Sequence, residues 1–398
     1  MQRLFFSRMA IASSAGIGLE ASLDALRERR SGLAPCRFET AELETCVGQI
    51  PDERLAPVRA DLAAFDCRNN RIAQLCLRQD GFENAVIESR ERHGAGRIGV
   101  FLGTSTSGIL STELAYRRRD PASGALPPDF RYAGTQNSFS LAGFVQSYFA
   151  LTGPAVAVST ACSSSAKVFG NAARMIAAGL CDAALVGGVD SLCLTTLYGF
   201  GSLGLLSASP CRPFDAERDG ISIGEGAGFV LLEKSDAHAP PDAVRLLGIG
   251  ESGDAYHMSS PHPDGLGARL AMERALKDAG TTPQAIDYIN LHGTGTRSND
   301  ATEDKAVFAL FGGDAPCSST KGWTGHALGA CGAIGAIISA LAIERGFLPG
   351  SVNTRTIDPS MKARYLLENR PARANLVMSN AFGFGGTNCS LVLGRAGG

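Results

Sequence analysis

AVAVSTACSSSAKVFGNAARMIAAGL, Ala155 to Leu180, runs from small and β-branched residues through a serine-rich turn into a segment of small residues at helical spacing. It reads as strand, turn, helix. A short apolar strand feeding directly into a helix is the building unit of a buried sheet covered by helices. Cys162 stands at the turn. One reading makes it a buried structural thiol, the usual state of a free cysteine. The other makes it a nucleophile at a helix start, where free N–H groups and the helix dipole favour a thiolate and help hold an oxyanion. On local grounds alone the two stand level.

The same alternation continues on both sides. RIGVFLGTSTSG (Arg97–Gly108) is strand then turn, and DAALVGGVDS (Asp182–Ser191) is a short buried strand. GFVLLEK and AVRLLGIGES read as paired strands around a linker, Ser235–Asp242, which divides the chain into halves 1–240 and 241–398. Beyond it follow a helix in GARLAMERALKDAG, strand and loop in IDYINLHGTGT, and a helix in DATEDKAVFALFG. Two strands across a glycine turn follow in NLVMSNAFGFGGTNCSLVLG. In each half a polar or glycine-rich turn leads into a small-residue helix, Ala166–Leu180 and Ala327–Ile343. That echo fits two similar halves whose central helices approach closely.

Composition narrows the function. The 398 residues are 44% hydrophobic and 19% charged, enough for a large core. The net charge is −2, so no basic excess points to nucleic acid, and no basic amphipathic helix points to a membrane surface. Eleven cysteines without a CxxC pair suit neither a disulfide scaffold nor a zinc ribbon, and make a reducing cytoplasm the simplest compartment. The N-terminal MQRLFFSRMAIASSAG imitates a signal peptide, but Arg8 interrupts the apolar run, and a first strand and loop is the better reading. Ser191–Cys211 and Gly322–Ile343 lack charge for about 20 residues, the span of a membrane helix. Their Gly, Pro and His content reads instead as buried interior of a soluble protein.

Three motif matches fail on context. GFGSLG (Gly199–Gly204) is not followed by the helix a dinucleotide site needs. GISIG (Gly220–Gly224) lacks the strand before and helix after that would make Ser222 a hydrolase nucleophile. GHALG is not in a lipid-like helix. Of six histidines, His93 and His238 read as surface, and His257 and His262 as loop. His292 and His326 differ: each joins an apolar segment and is flanked by glycine and threonine, which permit close approach to a ligand.

STACSSS, HGTGT followed by Asp300 and Glu303, TKGWTGHALGACG, NAFGFGGTN and CRPFDAERDGISIGEGAGFVLLEK together resemble the elongating β-ketoacyl-acyl-carrier-protein synthases, in the family's order and over nearly the whole chain. The resemblance implies an α/β thiolase fold, two similar halves in a five-layered αβαβα arrangement. It makes Cys162 the acyl acceptor, and His292 and His326 the stabilisers of the enolate left by malonyl decarboxylation. Lys321 would support the histidines, Glu303 would organise Lys321, and Phe384 would gate the loaded cysteine, its N–H joining that of Cys162 in an oxyanion hole. Thr106, Thr294, Thr296 and Phe382 fall at substrate-binding positions, with Thr106 at the acyl-tunnel floor or dimer interface. Arg68 and Arg71 in DCRNNR match the basic segment where the acidic carrier docks; Arg117–Arg119 form a second cluster. Implied partners are acyl- and malonyl-loaded carrier protein and either a second copy or a chain-length-factor-like subunit. No cofactor and no metal are implied, since Gly335 stands where some relatives place a glutamate at a monovalent-cation site.

The pair of histidines separates this chain from initiating synthases and from thiolases. Thr106 and Leu192–Phe200 depart from common fatty-acid enzymes and look like the synthases of aryl polyene clusters. The alternatives are a housekeeping fatty-acid elongation enzyme, a non-catalytic chain-length-factor-like subunit, and a hydrolase.

Overall fold

The computed structural model describes residues 4–234 and 239–395. Ten strands form its frame. The first half holds β1 (Leu4–Ser13), β2 (Ile98–Gly103), β3 (Ala155–Val158), β4 (Ala183–Asp190) and β5 (Gly226–Lys234). The second holds β6 (Arg245–Gly253), β7 (Tyr288–Asn290), β8 (Pro316–Ser318), β9 (Leu376–Gly383) and β10 (Thr387–Gly394). Across the first half the spatial order is β3-β2-β4-β5-β1; across the second it is β8-β7-β9-β10-β6. Numbered within its own half, each runs 3-2-4-5-1, and in each the fifth strand alone is antiparallel to its neighbours. The faint echo in the sequence is thus one topology used twice.

The two sheets meet through β1 and β6, which pair antiparallel at Leu4 with Leu246 and Phe5 with Arg245. This corrects the hairpin expected of GFVLLEK and AVRLLGIGES. β1 lies between them, paired along most of its length with β5, while β6 takes its long partner from β10. Strands adjacent in sequence close different sheets here, and burial of each apolar strand on both faces outweighs the short connection. Residues 235–238 of the expected linker, with His238, lie outside the described residues, as do Met1–Arg3.

Helices fill three layers. Among them are α1 (Arg68–Leu77), α2 (Ser140–Tyr148), α3 (Ser164–Ala177), α4 (Leu194–Ser202), α5 (Leu266–Ala279), α6 (Arg297–Phe311) and α7 (Cys331–Arg345). Alternating residues along β2 show why. Val100 points outward and packs with Ile72 and Leu77 of α1 and Phe144 of α2. Its neighbour Phe101 points inward to Val168 and Phe169 of α3 and Ile337 of α7. On the far side of the second sheet, Met272 of α5 and Val307 of α6 cover Ile289 and Met378. The order is helix, sheet, central helices, sheet, helix: five layers. α7 belongs to an apolar stretch, Leu328–Arg345, as long as a membrane span, but 78% of it is buried between the sheets. Ser191–Cys211, also expected inside, is only partly so: α4 leaves Tyr198 exposed, and Leu203 just beyond it is exposed as well.

The central pair approaches backbone to side chain. A Cβ on Gly332 would stand 2.5 Å from Ala166 N and 2.8 Å from Ala166 Cβ. Overpacking such a contact costs about 1–3 kcal/mol. Gly332→Ala is therefore expected to lower stability by about that much in a denaturant titration; an unchanged midpoint would show that the central helices have slack.

Candidate active site

The turn between β3 and α3 is held tightly. Ala161 takes a φ of +51°, in the left-handed region that costs an L-residue energy. The serines brace it: Ser164 Oγ accepts from Thr160 N at 2.9 Å and donates to Ala161 O at 2.6 Å, and Ser163 Oγ donates to Thr160 O at 2.9 Å. Ser165 Oγ reaches across to accept from Ala333 N at 2.9 Å. All three serines are turn and packing residues, and Cys162 alone faces a cavity of about 230 Å³. That cavity is also lined by His292, His326, Thr294, Thr296, Phe200, Phe382 and Phe384.

His326 arrives from the second half. Its amide donates to Ser222 O at 2.7 Å, so the GISIG segment serves as a structural rail. Its Nε2 lies 3.0 Å from Cys162 Sγ. His292, at the end of β7, stands 5.3 Å from the His326 ring, centroid to centroid. One ligating atom from each of Cys162, His292 and His326 falls within 4.8 Å of the others. Lys321 Nζ sits 3.3 Å from His292 Nδ1 and also donates to His292 O. An ammonium offers only donors, so His292 Nδ1 accepts and its proton sits on Nε2. The nearby ammonium also opposes a cation in this cluster.

Burial sets the charge states. It pushes the Cys162 thiol well above its ordinary value, with Cys331 adding to the effect; Lys321 and the Phe384 N–H pull the other way. Burial, then Lys321, hold both His292 and His326 well below their ordinary value. The resting site is a neutral thiol beside neutral imidazoles. The helix-start thiolate expected from the local turn is overridden by desolvation.

Two carboxylates on α6 grip the His292 loop. Glu303 accepts from His292 N at 2.8 Å, Gly293 N at 2.7 Å and Asn380 Nδ2 at 3.3 Å. Its direct partners are these amides, and Lys321 acts on it through the field; burial raises it to about 7. Asp300 accepts from Thr294 N at 3.0 Å and Gly295 N at 3.2 Å, holding Thr294 and Thr296 at the cavity wall. Phe382 lies 5.9 Å from the His292 ring, and Phe384, tilted against Phe200 at 5.6 Å between ring centroids, lines the same cavity.

The family described as Beta-ketoacyl synthase, N-terminal domain, matches residues 9–238, and its C-terminal counterpart matches 244–355. This chain belongs to the β-ketoacyl synthase family. It is 32% identical to 3-oxoacyl-[acyl-carrier-protein] synthase 2 of Coxiella burnetii over 99% of both chains. It is 42% identical to the mitochondrial 3-oxoacyl-[acyl-carrier-protein] synthase of Arabidopsis thaliana, over 80% of this chain and 73% of that one. Among solved structures, a ketosynthase (ApeO) in complex with its chain length factor (ApeC) from Xenorhabdus doucetiae superposes with a TM-score of 0.90 at 38% identity. That match covers 99% of this chain and 98% of the other.

Several expected β-ketoacyl synthase positions fall elsewhere. Arg68 is not a free surface cation: its side chain is 11% exposed and its guanidinium donates to buried Glu225, at 2.8 and 2.6 Å, and to Asp52. Burying a carboxylate requires such a partner. Arg71 forms a bidentate pair with Asp66 at 2.7 and 2.6 Å. Arg117–Arg119 do stay exposed, as a surface cluster should, with Arg117 paired to Glu39 and Arg118 to Asp129. Thr106 does not line the cavity; its hydroxyl and amide are both spent on Asp190. His93, expected on the surface, faces Glu233 at 3.4 Å. At Gly335 the Asn290 amide donates to the Gly335 carbonyl at 3.1 Å. Asp190 itself drew no attention in the sequence, although an acid closing the apolar run ALVGGVD was a visible signal.

Because the Cys162 thiol is raised above 9.0, its alkylation rate is expected to climb with pH with no inflection below that value. An inflection near neutrality would sink the neutral-thiol account. Arg68→Ala leaves the buried Glu225 carboxylate with only the Ile50 and Leu192 amides and no cation, and is expected to cost about 3 kcal/mol in stability. If that variant keeps full stability and only loosens carrier binding, Arg68 is a docking residue after all.

Proposed function

We propose that this synthase elongates a carrier-bound acyl chain by decarboxylative Claisen condensation, with Cys162 as the acyl acceptor. The observation that carries the reading is the convergence of Cys162 Sγ with the two neutral imidazoles of His292 and His326. In the first half-reaction the thiol attacks an acyl thioester and its proton passes to His326 Nε2, 3.0 Å away. A C–S bond forms to Cys162, the old C–S bond breaks, and the proton goes on to the departing carrier thiolate. The Phe384 N–H, which points at the sulfur, is placed to donate to the tetrahedral oxyanion.

In the second half-reaction a malonyl thioester loses CO2. The electron pair left behind becomes an enolate, whose oxygen takes a hydrogen bond from the His292 Nε2–H that Lys321 enforces. The enolate carbon attacks the acyl-Cys162 carbonyl; the C–C bond forms, the C–S bond breaks, and the departing Cys162 thiolate takes a proton from solvent by way of His326 Nε2. Neutral donors suit this step, because they stabilise a developing negative charge without a proton to lose at rest.

The acyl carrier protein supplies both substrates in this reading, and a second subunit completes the assembly. β3 is the terminal strand of its sheet, unpaired on its outer side among the described residues, which leaves an edge for a partner strand. A chain-length-factor-like partner is favoured over a second copy by the ketosynthase–chain length factor complex noted above, and an aryl polyene chain by the Leu192–Phe200 segment that forms α4 beside the cavity. We place the protein in the cytoplasm, in keeping with eleven cysteines that are all free thiols.

Intact-protein mass spectrometry with saturated and polyenoic acyl-carrier substrates tests the assignment. The chain is expected to gain one acyl mass at Cys162 and to lose it on addition of malonyl-carrier. Cys162→Ala should gain none while keeping slow malonyl decarboxylation. Loading of the alanine variant, or no loading of the native chain by any substrate, defeats the reading; preference for saturated chains moves the enzyme to fatty-acid elongation.

A further inference from the structure

Behind Cys162 and His326 lies a carboxylate that the mechanism above does not use. Asp190, at the end of β4, is completely buried. Six donors converge on it. Thr104 Oγ1 donates at 2.7 Å, Ser105 N at 2.8 Å and Ser105 Oγ at 2.6 Å. Thr106 N and Thr106 Oγ1 each donate at 2.8 Å, and Gly329 N supplies the sixth bond. The hydroxyls are saturated in turn. Thr104 Oγ1 accepts from Ser107 N at 2.9 Å, Thr106 Oγ1 from Ser191 N at 3.1 Å, and Ser105 Oγ from Gly329 N at 3.2 Å. A set in which every partner donates and every donor is satisfied is a built site with one orientation.

Gly329 is what makes this site matter to the chemistry. It lies between His326 and Cys331, in the 3-10 turn Leu328–Ala330. That turn opens with Leu328 at a φ of +46°, a strained position that its surroundings must hold. A Cβ on Gly329 would meet Asp190 Oδ2 at 2.8 Å and Ser105 N at 2.9 Å, so the backbone presses directly on the carboxylate. On one side of the turn His326 Nε2 reaches Cys162 Sγ; on the other the Cys331 thiol donates to Cys162 O at 3.2 Å. Asp190 therefore clamps the end of β2 in the first half to the turn in the second half that carries both contacts.

We propose that Asp190 is a positioning residue for the condensation: by holding the Gly329 amide and the Thr104–Thr106 loop together, it sets His326 against Cys162. It touches no substrate. It acts by fixing the distance and direction of a proton transfer, for which small displacements cost large factors in rate. Its charge bears on the same group: it pushes the Cys162 thiol up, alongside Cys331 and against Lys321. This inference rests on the synthase reading, and it gives Thr106 a role that pocket lining does not.

The test measures acyl loading, malonyl decarboxylation and full condensation for Asp190→Asn, Thr106→Val and Thr106→Ser, with carrier KM and thermal melts for each. Asp190→Asn puts an amide donor among donors and is expected to lower kcat by roughly tenfold to a hundredfold with KM unchanged. Thr106→Val, which removes one donor, should fall in the same direction, and Thr106→Ser, which keeps the hydroxyl, should recover the native rate. Gly329→Ala pushes the clamp from its other side and should match Asp190→Asn. If Asp190→Asn does not fold, the two threonine variants decide: equal rates for Val and Ser overturn the proposal. So does a folded Asp190→Asn with a native kcat. A native chain that takes no acyl group at Cys162 defeats the synthase reading itself, which none of these variant comparisons can do.

Discussion

The site of this molecule depends on two helices whose first turns pack against each other at its centre. α3 and α7 both begin at the seam between the halves, with Gly332 against Ala166, Ser165 Oγ bonded to Ala333 N and Cys331 Sγ bonded to Cys162 O. Because both helices are sandwiched between sheets, neither can shift without disturbing strands on two sides. The thiol at the start of one helix and the imidazole just ahead of the other are thereby brought to 3.0 Å. No short-range feature of either segment could do this, since 164 residues separate them.

That central location also decides the electrostatics. Burial disfavours the charged forms of the thiol and imidazoles, so they rest neutral while Lys321 keeps its place by donating to His292. The carboxylates nearby are tolerated for a different reason. Glu303, Asp300 and Asp190 each accept from several backbone amides, which replace the lost water and lock the loops those amides belong to. The reacting groups are thus few and neutral. The loops that carry them are held by buried acids.

Sequence reasoning did well where physics is local. The turn at Cys162, the β9–β10 hairpin and the two small-residue helices were all readable from spacing and glycine placement. It failed where a side chain's partner lies far along the chain. The resemblance placed Arg68 on a docking segment, and nothing near it in sequence reveals that its guanidinium is paired with Glu225, 157 residues away. Thr106 was placed by the resemblance at the tunnel floor or dimer interface, and nothing near it in sequence reveals that its hydroxyl is bonded to Asp190, 84 residues away. GFVLLEK and AVRLLGIGES looked like a hairpin because nothing in either reveals that β1 inserts between them.

The amino-acid order alone carried the resemblance to the family, through its five motifs, and that resemblance in turn implied the two-halved architecture and the identity of the groups at the cavity. The folded chain settled their protonation, the tautomer of His292, and which acids and bases are spent on structure. These follow from burial and from contacts between the halves, and such contacts form only when both sheets have closed around the central helices.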